Sequence, residues 1–286
     1  MSVCLATLCL NEMEWLPRLY KQHRHWPSLK KWVFVESADR VYAETNPTKV
    51  TSKGLSIDGT SEYLEGLAKH DPRIVYIPFG FSEHPTDEAQ NKCVCRQAYL
   101  DEIEQHHPEL FVVVDADEFY PQQYQQGTNL LVAGNPSYNA FVMKHREVWR
   151  PPAISHFPLF RSEVVGGFWD VLYCRTWRWE PHLQYVDDHN TPQCGTRKLT
   201  DSLRRPVPGD PYFVHLGFTS KADSRSAKHN YYVARGEGRT DHRQMYVDSR
   251  ASYLTWHPIT NPKLPGGAQV IPYRGLIPEV FQDEGS

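Results

Sequence analysis

The chain has 286 residues, 40% of them hydrophobic and 23% charged, with a formal net charge of −3. That length supports one large α/β domain with a sizeable core, and no stretch reaches the ~18 apolar residues that a membrane span needs. The slightly acidic balance argues against a general binder of nucleic acid or anionic membrane, leaving only a local basic patch open.

Residues 3–10 read as a first strand. This apolar start lacks a basic region and meets Asn11-Glu12 too soon for a signal peptide. Asn11 is placed to cap a helix running to about residue 25, with Trp15, Leu16 and Leu19 on its apolar face. Residues 32–36 form a second strand that ends in the acidic loop Glu36-Ser37-Ala38-Asp39. A polar loop through Gly54 and Asp58-Gly59-Thr60 leads to a helix at 61–70, then a third strand at 73–79. Thr86 is expected to cap a long helix to about residue 106, and a strand begins at Phe111.

This βαβαβαβ order implies a mostly parallel sheet with right-handed crossovers, flanked by helices. After Pro121 the pattern changes to shorter, aromatic-rich strands at 138–148, 171–179 and 211–218. They predict an appended mixed or antiparallel region, 121–256, of the same single domain, followed by a Pro-rich tail, 257–286, lying along its surface. Cys4, Cys9, Cys93, Cys95, Cys174 and Cys194 show no disulfide-framework spacing and include no CxxC pair. Buried thiols in a reducing cytoplasm are expected.

The chemistry gathers at Phe111-Val112-Val113-Val114-Asp115-Ala116-Asp117-Glu118-Phe119. An apolar, β-branched run of this kind reads as a strand buried on both faces, and ligands in such sheets sit beyond the carboxyl ends of the strands. Two carboxylates there repel unless a cation neutralises them. Mg²⁺ or Mn²⁺ held by Asp115 and Asp117 accounts for the pair; a solvated acidic loop is the plainer alternative.

Arg96 falls in the middle of the apolar stripe Ala89, Cys93, Leu100 and Ile103 of the long helix. A buried arginine needs an anionic partner, either a core carboxylate or a phosphate near the metal. Glu36, Ser37 and Asp39 end the second strand on the same sheet edge as Asp115, where a ribose or base is within reach. His215 ends an apolar run and precedes a cationic series containing Lys221 and Arg225. His215 is placed to complete a carboxylate–histidine metal site, and the two cations to clamp a diphosphate. The segment 177–189 offers aromatic platforms with Glu180, Asp187 and Asp188 as candidate bases, and Gly166-Gly167-Phe168-Trp169-Asp170 offers an acceptor-lining loop.

Taken together, Asn11-Glu12 with Trp15, the acidic loop at 36–39, Asp58-Gly59-Thr60, Arg96-Gln97, Asp115-Ala116-Asp117-Glu118 and His215 resemble a GT-A fold glycosyltransferase of the family-2 type. The likeness is good over residues 3–120 and moderate over 160–220. It implies a nucleoside-diphosphate-sugar donor, a UDP-sugar first. Thr7, Asn11, Glu36 and Asp39 would then hold the nucleoside, with Arg96, Lys221 and Arg225 at the diphosphate. Asp115, Asp117 and His215 would coordinate Mn²⁺ or Mg²⁺. Asp188 would be the base of an inverting transfer, with Glu180 and Asp170 as substitutes. The acceptor would be a saccharide or a hydroxymethylated base in DNA. Glu36 stands where the family more often has Asp, and the base motif is not clean.

Two other classes fit parts of the pattern. A haloacid-dehalogenase-like phosphatase also ends an apolar strand in Asp-x-Asp, but wants Thr or Val where Phe119 stands and places the motif near the chain start. A non-catalytic nucleotide-sugar or nucleic-acid binding module is the remaining alternative.

Overall fold

The computed structural model describes residues 1–82, 88–149, 160–164, 174–186, 189–207, 209–218, 268–272 and 278–281. Its centre is a seven-stranded sheet built on the run Val3–Cys9 (β1), which pairs in parallel with Leu29–Ala38 (β2) on one side and Leu110–Val113 (β4) on the other. Ile74–Phe81 (β3) extends β2 in parallel. The helices between these strands are Leu16–His23 (α1), Arg40–Thr45 (α2), Thr60–His70 (α3) and Glu88–Glu104 (α4).

The period of two along each strand explains why both faces are covered. Val3, Leu5, Trp32, Phe34, Leu110 and Val112 point to one side, where Leu16, Leu19, Trp26 and Leu64 pack on them. Cys4, Ala6, Val33, Val35, Phe111 and Val113 point to the other, against Cys93, Tyr99, Leu100 and Ile103 of α4. A sheet sandwiched in this way needs unbroken apolar strands, which is what the sequence supplies.

Beyond Glu118–Phe119 (β5) and Gln122–Ala133 (α5) the pairing changes hand. Ala140–Val142 (β6), Lys144–Trp149 (β7), Phe160–Val164 (β8) and Cys174–Arg178 (β9) follow. Strand β9 runs antiparallel to β4, with Phe111 opposite Trp177, and β6 runs antiparallel to β9. Leu183–Gln184 (β10), Gln193–Cys194 (β11) and Arg197–Lys198 (β12) make a small antiparallel sheet, and Leu203–Arg204 (β13) closes the edge beyond β6. A second, five-stranded sheet has the order β15-β8-β7-β14-β5, with β14 at Tyr212–Phe218 and β15 at Ala268–Pro272. The expected fold class, a mostly parallel α/β sheet with an appended mixed region, is the one observed.

Some expected boundaries shift. The first helix starts at Leu16, not at Asn11, because Asn11 adopts a positive φ of 55° and turns its amide elsewhere. Residues 40–45, expected as loop, form α2 because Asp39 accepts hydrogen bonds from the N–H groups of Val41 and Tyr42. The predicted strand 138–148 divides into β6 and β7, which belong to different sheets. Thr86 lies outside the described residues. Pro278–Phe281 of the tail packs against the body, with the Phe281 ring 4.9 Å from Phe119. All six cysteines are free thiols, five of them buried. Among the described residues no helix is long and apolar enough to cross a membrane.

Candidate functional site

The position of the acidic run is fixed by its neighbours on the central sheet. The Val114 N–H donates to the Ala6 carbonyl, and the Val114 carbonyl accepts from Thr7 Oγ1 at 2.7 Å. The chain leaves the sheet at the next residue. A tight turn follows in which the Glu118 N–H donates to the Asp115 carbonyl and the Asp115 N–H donates to Glu118 Oε2. Strand β5 then crosses to the second sheet, where Glu118 pairs with His215 and Phe119 with Val214 of β14. Tyr120 is held by three side chains: its N–H donates to His23 Nε2, and its carbonyl accepts from Gln22 and Gln125.

This crossing brings together residues far apart in sequence. His215 Nε2 stands 3.4 Å from Asp117 Oδ2, and both side chains are partly open, at 23% and 17% exposure. Arg175, at the start of β9, is 6% exposed and reaches across to two carboxylates. Its Nη2 lies 2.5 Å from Asp115 Oδ2 and 2.7 Å from Glu118 Oε1, and its Nε donates to the same Glu118 oxygen. Arg96 is 5% exposed, donates to the His189 carbonyl at 2.5 Å, and lies over the Tyr185 ring at 6.0 Å. Its Nε is buried without a hydrogen-bond partner.

The electrostatics follow from this placement. Burial works against an ionised Asp115, but Arg175 and then Arg96 outweigh it and bring its carboxyl below the ordinary range. Burial raises Glu118, 2% exposed, to about 7, with Arg175 pulling the other way. The expected anionic neighbour of Arg96 is Asp115, which acts through space; its direct contacts are a carbonyl and a ring.

Of the expected ligands Asp115, Asp117 and His215, the structure brings Asp117 and His215 together and turns one Asp115 oxygen onto Arg175. Among the described residues no group of three or more His, Cys, Asp or Glu side chains is arranged to hold a metal ion. Asp115 is turned onto Arg175, which leaves Asp117 and His215 as the adjacent donor pair. One carboxylate and one imidazole still fit a divalent ion whose remaining positions are filled by water and phosphate oxygens.

Several expected nucleoside contacts serve the protein instead. Thr7 Oγ1 donates to the Val114 carbonyl and accepts from Trp32 Nε1, so its hydroxyl is engaged in both roles. The Asn11 amide bonds the Lys49 carbonyl and the Ile57 N–H, tying down the loop after α2. Glu36, fully buried, accepts from the Ser56 N–H, the Ser61 hydroxyl and the Tyr76 hydroxyl. Asp39 accepts at one oxygen from the start of α2 and at the other from Asn91 Nδ2, yet remains partly open at the sheet edge. The Glu36 cluster carries a stability prediction. Glu36→Ala leaves a buried N–H and two hydroxyls short of an acceptor and should cost about 3 kcal/mol in urea unfolding. A loss below about 0.5 kcal/mol would show that the cluster is not a tether.

Glu180 stands at the wrong end of the sheet. Strand β9 runs antiparallel to β4, and the Trp179 N–H donates to the Glu109 carbonyl, so Glu180 lies beside the start of β4. Six residues at roughly 3.3 Å each separate that end from Asp115. There Glu180 accepts from Asn139 and pairs with Arg197. Asp188, Asp170, Lys221 and Arg225 lie outside the described residues.

Sequence reading missed Arg175 and gave Glu118, though part of the acidic run, no role of its own. Arg175 is in phase with buried Trp177 on β9, so the strand period alone marks it as an inward cation needing partners.

No protein-family model matches the chain, and no curated protein matches it. Solved structures similar to it include S. aureus TarS 1-349, at 11% identity over 88% of this chain and 72% of that one, with a TM-score of 0.42. TarS 1-349 in complex with UDP-GlcNAc is similar at 11% identity, over 88% of this chain and 73% of that one, with a TM-score of 0.43. The mannosyltransferase PcManGT from Pyrobaculum calidifontis, in complex with GDP-Man and Mn²⁺, is similar at 14% identity, over 93% and 72%, with a TM-score of 0.42.

Proposed function

We propose that this chain is a metal-assisted glycosyltransferase that moves a sugar from a nucleoside-diphosphate donor, a UDP-sugar first, to an acceptor hydroxyl. The observation that supports it most is the β5–β14 crossing, which sets His215 3.4 Å from Asp117 beyond the carboxyl end of a buried parallel strand, with two buried arginines alongside. Carboxylate, imidazole and guanidinium groups around one point suit a metal–diphosphate pair. The imidazole favours Mn²⁺ over Mg²⁺, which prefers an all-oxygen shell.

A bound divalent ion would supply charge stabilisation for the leaving diphosphate. Asp117 and His215 would hold it. Arg96 and Arg175 add fixed positive charge in a region closed to water. Asp39 would accept from the nucleoside at the end of β2. Asp188, with Asp170 as substitute, takes the proton of the acceptor hydroxyl as its oxygen bonds to the anomeric carbon and the carbon–diphosphate bond breaks, inverting that centre. Saccharide and hydroxymethylated-DNA acceptors both remain within this reading.

The phosphatase reading loses ground on one contact. One oxygen of the Asp115 carboxylate that would attack phosphorus is 2.5 Å from Arg175, a fixed cation that blunts it as a nucleophile.

The test is thermal shift across UDP-sugars and GDP-mannose with Mn²⁺ or with EDTA, followed by mass spectrometry of saccharide and hydroxymethylated-DNA acceptors. One donor should stabilise the protein by several degrees in Mn²⁺ and far less in EDTA. Hydrolysis of an aryl phosphate without any donor shift would overturn the reading in favour of a phosphatase. Tight nucleic-acid binding without donor affinity would leave only a binding module.

A further inference from the structure

Three carboxylates fall within four residues at 115, 117 and 118, and one of them, Glu118, is almost wholly buried. Clustered negative charge of this kind needs compensation before any ligand arrives. Arg175 supplies it. One guanidinium nitrogen bridges Asp115 and Glu118 at 2.5 and 2.7 Å, and its Nε adds a second bond to Glu118. The turn is therefore partly compensated from within, and Asp115 Oδ2 faces a fixed cation in place of a metal.

A divalent ion cannot take the same Asp115 oxygen without lying within a few ångströms of the guanidinium, where the two cations repel. With Asp115 withheld, the protein offers a carboxylate and an imidazole, a weak set for a hard cation that prefers about six oxygens. A diphosphate changes this balance. Its charge offsets the repulsion, and its oxygens fill the empty positions.

We propose that Arg175 is an internal counter-cation that withholds Asp115 from the metal, so that metal and nucleoside diphosphate bind as a coupled pair and neither binds well alone. This rests on the functional reading above. In this role Arg175 is a positioning residue. It sets when the ion is taken up, and it does so through Asp115 and Glu118.

The experiment measures Mn²⁺ affinity from the free-ion electron paramagnetic resonance signal, with and without UDP. For the wild-type protein UDP should tighten Mn²⁺ binding at least tenfold, and by reciprocity Mn²⁺ should tighten UDP by the same factor. Arg175→Met paired with Glu118→Gln removes the guanidinium without leaving the buried carboxylate charged, and should bind Mn²⁺ at least tenfold tighter without UDP. The coupling should shrink correspondingly. Arg175→Lys keeps the charge and should stay close to wild type in nucleotide-free Mn²⁺ affinity. If the double variant does not fold, Asp115→Asn decides: a carboxylate already withheld from the ion should leave nucleotide-free Mn²⁺ affinity within about threefold of wild type when it is neutralised, and a tenfold loss overturns the inference. Wild-type protein that binds both Mn²⁺ and UDP without coupling overturns this inference and leaves the glycosyltransferase reading standing. So does a folded double variant whose nucleotide-free Mn²⁺ affinity is unchanged. Wild-type protein that takes up no Mn²⁺ with UDP or GDP overturns both.

Discussion

Asp117→Ala should abolish metal-dependent donor binding and lower kcat/KM for sugar transfer by at least about a thousandfold, with the fold intact. The two halves of this expectation come from different features. Asp117 and His215 would be the adjacent donors at the strand end, so losing one would break up that pair. Both are partly open to solvent, so the pair itself contributes less than about 1 kcal/mol to stability. Its neighbour should behave in the opposite way. Glu118→Ala takes a buried carboxylate away from the buried Arg175 guanidinium, and breaking a buried pair costs about 3–5 kcal/mol. Calorimetric titration of donor with Mn²⁺, beside urea unfolding of both variants, separates the two roles. Undiminished turnover in Asp117→Ala would sink the metal assignment, and an undisturbed melting curve in Glu118→Ala would sink the internal ion pair.

Mild acid should unfold the protein through His23, at the back of the same loop. Its Nδ1 donates to the Leu19 carbonyl at 3.0 Å, and its Nε2 accepts from the Tyr120 N–H at 3.0 Å, so the ring is built in as a neutral tautomer. Burial pulls its pKa down from 6.5 to about 3. The sign is unambiguous. Above pH 6.5 the ring is neutral in both states and carries no penalty. As the pH falls from 6.5 toward 3, the unfolded chain takes up a proton that the native site refuses, and stability drains away by on the order of 4 kcal/mol in total. Asp71, held by Arg73 at about 2, acts in the same direction below pH 4. His23→Gln should be less stable at pH 7, because one amide cannot reproduce both bonds, but should show a flatter loss between pH 6.5 and 4. Denaturant midpoints at half-unit pH steps check this. A variant with the wild-type slope would place the acid sensitivity elsewhere.

The half of the molecule that presents the site was legible because its strands are apolar on both faces. Runs such as Val112-Val113-Val114 have no alternative to a covered sheet, and the carboxylates that follow must emerge at its edge. The second half was less legible. Its strands are short, and residues 140–149 serve two sheets in one stretch, a choice made by long-range pairing that no local period records. Glu180 shows the cost. Its composition suits a base, but the antiparallel direction of β9, invisible in the sequence, carries it to the far end of β4. Arg175 shows the reverse: the same direction brings it to Asp115, and only its phase with Trp177 hinted at that. Thr7, Asn11 and Glu36 sit at the expected edge, yet their polar atoms are consumed in holding the fold together, which depends on partners 20–107 positions away in the donor–acceptor pattern of the fold.

The two-residue strand β5 has one more consequence. Asp117 belongs to the connection leaving the first sheet and His215 to the second, about a hundred residues later. An ion held by both would be a chelate cross-link between two sheets that also share an apolar core through Tyr212, Phe213 and Val214. Closing so long a loop removes conformational freedom from the partly opened protein. Amides of β14 should therefore exchange with solvent more slowly in Mn²⁺ and UDP than in EDTA, while those of β1 and β2 keep their rates. The ion would then act as a clasp for the second sheet as well as a centre of charge.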